Sequence, residues 1–177
     1  MNVKYKKGLK IISLLITAII IGTVSAANYS YMYVDGSITI GTANLIWIAG
    51  SDAPGDIGVA GGTVTMDLDV QPGINQNFTE AAFLKNQDSA DHNLTITVTT
   101  ALSGSDFDIA NAYIYKNSTG SWAYVDTLTL TTESDQYSTY TGNTPLVAGG
   151  YYRFTFEIQA DAAASGTKNF DLQVVYE

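Results

Sequence analysis

Cysteine is absent from this 177-residue chain, histidine occurs once and proline three times. Strong bases are few, with eight Lys and Arg against 17 Asp and Glu. Without cysteine there is no disulfide to staple the fold and no Cys–His nucleophile pair. With His92 alone, a zinc site built on several histidines is excluded. No HExxH and no GxSxG is present. His92 falls in the polar stretch Asn86 to His92 and reads as a solvated loop residue. A glycosidase needs two carboxylates across a cleft, and nothing singles out a pair among the 17 acids. The chain therefore reads as structural or binding rather than enzymatic, with no catalytic residue and no small-molecule substrate.

Half of the bases sit at the start. Lys4, Lys6, Lys7 and Lys10 precede an apolar run from Ile11 to Gly22, and small residues follow at Ser25, Ala26 and Ala27. A basic start, an apolar centre and a small-residue end make a secretory signal peptide over residues 1–26. Cleavage is expected after Ala26, with Ala27 as second choice. A competing site is Lys6-Lys7-Gly8-Leu9, which resembles the prepilin cleavage site of archaeal type IV pilins. Cleavage there would retain the apolar helix as a filament core. Lys10 inside that helix, and Asn28 and Ser30 soon after it, weigh against this alternative.

All 17 acids lie after Ala26, where only Lys85, Lys116, Arg153 and Lys168 oppose them, so the mature formal charge is −13. Such a surface repels nucleic acid and anionic lipid. A mature chain of about 150 residues buries a sizeable core without staples. These features suit a secreted, cell-surface protein.

What is abundant is Thr, Tyr, Val, Ile and Gly. From Thr63 to Val70 the sequence alternates, with Val64, Met66, Leu68 and Val70 on one face and Thr65, Asp67 and Asp69 on the other. That is a half-buried strand, closed by the turn Gln71-Pro72-Gly73. Further strands are expected at 78–84, 94–102, 112–116, 122–131, 151–159 and 170–176. Residues 160–165 have at most one turn of helix. Eight to ten short strands with regular turn signals predict an all-β sandwich with Greek-key connections.

Four sequons, at Asn28, Asn77, Asn93 and Asn117, are candidate glycan acceptors in a secreted chain. Asn117 leads because it lies in a turn. No cofactor is expected. Calcium takes loop carboxylates without a strict motif, and Asp88 with Asp91 is the best candidate pair. Trp47, Trp122 and exposed tyrosines are candidates for stacking on sugar rings.

Tyr31 to Ile40 reads YMYVDGSITI. Asp35-Gly36 between alternating runs is a hairpin signal, which would put Tyr31, Tyr33, Ile38 and Ile40 on one face. The same run follows the cleavage site, where few covalent constraints hold a strand. It is equally suited to leave its domain and complete the sheet of a neighbour. The knobs would then be Tyr29, Tyr31 and Tyr33, or Met32 and Val34. In that reading residues 27–36, with Asn28 at their start, form a free donor strand ahead of a sandwich over 37–177.

The order of motifs resembles the TasA/camelysin-like biofilm filament proteins and the archaeal bundling pilus subunits. Gly36-Ser37-Ile38-Thr39-Ile40 is similar to their post-cleavage Gly-Thr-Leu-x-Leu segment. Val70-Gln71-Pro72-Gly73, Phe83 to Asn86 and Asn93 to Val98 follow in the family's order, as do Ala148 to Phe156 and Ala164 to Thr167. The resemblance implies a jelly-roll domain that polymerises head to tail by N-terminal strand exchange, with lateral bundling of the fibres. The metalloprotease label attached to the camelysin branch finds no zinc motif here. The alternatives are the type IV pilin and a secreted adhesive or carbohydrate-binding sandwich.

Overall fold

The computed structural model describes residues 32–40, 44–52, 63–117, 120–132, 139–142 and 144–176. The expected signal peptide, both candidate cleavage sites and the leading residues Asn28, Tyr29 and Tyr31 lie outside them. The described residues form twelve strands and no helix. These are β1 (Met32–Ile40), β2 (Leu45–Ala49), β3 (Thr63–Val70), β4 (Asn75–Asn86), β5 (Leu94–Thr100) and β6 (Leu102–Ser103). They continue with β7 (Phe107–Asn117), β8 (Trp122–Thr129), β9 (Thr131–Thr132), β10 (Thr139–Thr141), β11 (Tyr151–Ala160) and β12 (Gly166–Tyr176).

The chain is an all-β sandwich. One sheet has the order β10-β5-β12-β1-β3 and the other β2-β4-β11-β7-β8; β6 and β9 make a small parallel pair. Within the two large sheets only β7 and β8 are consecutive neighbours. Elsewhere the chain crosses between layers, as at the turn from β3 to β4. There Ile74 N–H donates to Gln71 O at 3.1 Å, and Gly73 takes a φ of 78° that only glycine adopts readily.

Period-two alternation builds the core. Val64, Met66, Leu68 and Val70 are fully buried, as are the inward residues of β5, β11 and β12. Facing them, Trp47 packs on Phe154 with ring centroids 5.2 Å apart. Trp47 is thus a core residue, which corrects its expected place among sugar-stacking aromatics.

The hairpin expectation fails. β1 runs unbroken through Asp35-Gly36, pairing parallel with β12 and antiparallel with β3 along its length. Met32, Val34, Gly36 and Ile38 face inward. It continues to Ile40, four residues beyond the expected end of the leading strand. Gly36 serves close packing instead of a turn. A Cβ at Gly36 would stand 2.3 Å from Phe170 Cζ and 2.6 Å from Cε1. Phe170 in turn packs on Phe156 of the opposite sheet, centroids 5.4 Å apart.

Gly36→Ala should therefore destabilise the fold by about 1–3 kcal/mol through overpacking. Phe170→Leu should cost stability alone, yet recover part of the alanine's cost when combined. Urea unfolding of the four chains measures this coupling, and additive costs would contradict a Gly36–Phe170 contact.

Candidate functional site

The site is the position of β1 itself. On one side, Met32, Val34, Gly36 and Ile38 stand opposite Val70, Leu68, Met66 and Val64 of β3. On the other, Met32, Val34, Gly36 and Ile38 stand opposite Gly166, Lys168, Phe170 and Leu172 of β12, and Lys168 pairs with Asp106. Without β1, β3 and β12 would be separated by roughly 9.5 Å, two ladder spacings. The gap would be an apolar slot with an unpaired backbone edge on each wall. Burying Met32, Val34 and Ile38 favours occupancy by about 1.5–3 kcal/mol each. The structure thus places Met32 and Val34 as the inward pair among the expected donor residues. Tyr33 lies on β1 with the opposite parity.

The outer surface of the same strands is acidic. Asp35 lies directly opposite Asp67, Asp69 follows two residues on, and Asp171 lies across β12 from Ser37. Ser37 Oγ donates to Asp171 Oδ1. Among the described residues no Lys, Arg or His shares this face. Like charges directly opposite in an antiparallel pair weaken it, so β1 is held by its inward face against repulsion on its outer one.

The other candidates are scattered. His92 is not a solvated loop residue: its side chain is 12% exposed. Its Nε2 lies 3.0 Å from Asp88 Oδ2, and its ring meets Tyr176 edge-on at 4.8 Å. Backbone bonds with Leu146 in both directions fix the residue. A histidine so placed is a packing element under the end of β12, a role its polar flanks concealed.

Asp88 also accepts from Asn44 Nδ2 at 3.1 Å and from Ser89 N–H at 2.7 Å. The His92 contact, followed by the Ser89 amide, holds its carboxyl below the usual range. Asp91 instead accepts from Ala148 N–H at 2.8 Å. The two calcium candidates thus each engage protein donors. Among the described residues no three His, Asp or Glu side chains converge into a metal cage.

Of the sequons, Asn93 is exposed just before β5 and Asn77 is exposed within β4. Asn117 ends β7 half-buried, its Oδ1 accepting from Gly120 N–H at 2.8 Å. Asn28 lies outside the described residues.

Two outcomes are expected. Asp67→Asn should stabilise the fold by about 0.2–1 kcal/mol by relieving the Asp35–Asp67 pair, measured as a shift in the urea midpoint. For Asp88, a depressed folded pKa means stability present above the ordinary carboxylate range and lost as pH falls through the folded value. Asp88→Asn should therefore lower the melting temperature at pH 7, and the difference should shrink as pH falls below the ordinary carboxylate range.

No protein-family model matches the chain, and no curated protein matches it.

Proposed function

We propose that the chain is the structural subunit of a secreted, extracellular filament, joined head to tail by insertion of the leading strand into the neighbouring copy. The exchanged element is β1 together with the residues before it from Asn28. One observation carries the reading: the first strand of the described chain lies inside a sheet, between β3 and the last strand β12. The remaining large-sheet strands after β2 wrap back and forth between layers in a manner that supports a jelly roll. β1 is then supplementary to the eight strands of that roll.

A strand of a second copy would make the same backbone ladder and bury the same Met32, Val34 and Ile38 side chains. Donor and slot are different surfaces, so the contact is heterologous and repeats without closing. Residues 41–44 join β1 to β2 and reach at most about 17 Å from Ile40 to Leu45. A connection of this length would hold exchanged subunits in direct contact. The family resemblance in motif order points the same way.

The absence of cysteine from the whole chain makes a clean test. Ser37 and Thr65 lie directly opposite across β1 and β3, at a separation that suits a disulfide. Ser37→Cys/Thr65→Cys, assembled, oxidised and run on a non-reducing denaturing gel, should give a ladder of covalent multimers. Monomers closed by an intrachain bond in assembled material would overturn strand exchange.

A further inference from the structure

One end of the outer face of the other sheet has the opposite character; Glu157, four residues along β11 from Arg153, is engaged by Asn75 and Tyr113. Register places Ile48, Phe83, Arg153, Tyr115 and Tyr124 in one row across β2, β4, β11, β7 and β8. The adjacent row carries Lys85, Tyr151 and Trp122. Arg153 is held between two rings, its guanidinium carbon 4.8 Å from the Tyr115 centroid and 4.7 Å from that of Trp122. Lys85 Nζ stands 5.4 Å from the Tyr151 centroid. Arg153 and Lys85 are thus two of the four strong bases after residue 26. The described ion pairs join Lys168 to Asp106 and His92 to Asp88, and neither involves Arg153 or Lys85.

The rings limit what this face can hold. Tyr115 and Trp122 already present a face to Arg153, which leaves less ring surface for a sugar. Arg153 Nε is buried without a partner, so the outer guanidinium nitrogens are the donors left for a ligand. A planar guanidinium fixed in this way is prepared for a carboxylate. Carboxylates without a described partner stand on the far side of the same molecule, at Asp35, Asp67 and Asp69. The spacing also agrees. Lys85 and Arg153 are diagonal neighbours on β4 and β11, as Asp35 and Asp69 are on β1 and β3. Both diagonals follow one sheet lattice, about 7–8 Å between Cα atoms.

We propose that the aromatic-cationic face of β2-β4-β11-β7-β8 docks side-on against the acidic face of β3, β1 and β12 of a second copy. Arg153 and Lys85 pair with the aspartates, while Ile48, Tyr124 and Trp122 supply apolar contact. The two surfaces are on opposite sides of the sandwich, so the contact is heterologous and repeats laterally. In filaments it would align neighbouring fibres, and each weak pair would be multiplied along their length. The contact does not require strand exchange.

The mature chain would be compared at low salt and at about 1 M salt, where charges are screened beyond about 3 Å. Sedimentation velocity and electron microscopy give the readout. Wild type should associate side by side at low salt and separate at high salt. Lys85→Glu/Arg153→Glu should weaken side-by-side association at least tenfold. Adding Asp67→Lys/Asp69→Lys to that variant should restore it. End-to-end joining through buried β1 should survive salt, so a chain that is monomeric at 1 M salt counts against the filament reading alone. Lateral association unchanged by the charge reversal, or not restored by the swap, overturns this proposal. So does a wild type that shows no self-association at low salt and instead binds a polyuronate through Trp122 and Arg153.

Discussion

Gly36 lies in the middle of β1 with the ring of Phe170 against its backbone, and Phe170 rests on Phe156 across the core. This stack joins the leading strand, the last strand and the opposite sheet through one missing side chain. Any larger residue at position 36 would lift β1 from β12 or drive the ring into the core. The consequences reach further than one contact. Because β1 can sit flat there, its edges complete the ladders of both β3 and β12. The five-stranded sheet is then continuous instead of broken into β3 and a β10-β5-β12 remnant.

Charge works against that placement, and the magnitudes show why it persists. A facing like-charge pair such as Asp35–Asp67 costs roughly 0.2–1 kcal/mol. Each fully buried side chain of Met32, Val34 and Ile38 contributes about 1.5–3 kcal/mol. Burial wins by severalfold, and the acidic ladder survives as a surface feature. The opposite sheet carries the complement, with Lys85 and Arg153, two of its three cations, laid on aromatic rings. The sandwich is therefore polar across its thickness, although the mature chain as a whole is strongly acidic.

Much of the fold was legible in the residues. Thr63 to Val70 alternates and is a strand with the expected inward face; strands also stand where they were expected from Leu94 and from Tyr151. What misled was chemistry that reads the same in two contexts. Asp35-Gly36 satisfies a tight turn and equally a flat strand under an aromatic ring; only Phe170, more than a hundred residues away, decides between them. Trp47 carries no local mark of burial, and His92 looks solvated until Leu146 and Tyr176 close over it. The aromatic-cationic face was hidden for another reason. Its residues come from five strands, and only the sheet register brings Phe83, Tyr115, Trp122 and Arg153 into neighbouring rows.

β1 makes the same contacts whether its parent domain or another copy supplies it, so contact energy does not choose between the two states. The choice rests on the connection and on concentration. A flexible link gives an intramolecular strand an effective concentration in the millimolar range. Exchange therefore requires a local concentration of neighbouring copies above that value. Under the proposed strand exchange, a domain whose own first strand fills its slot is a storage form of the bond that would join two copies.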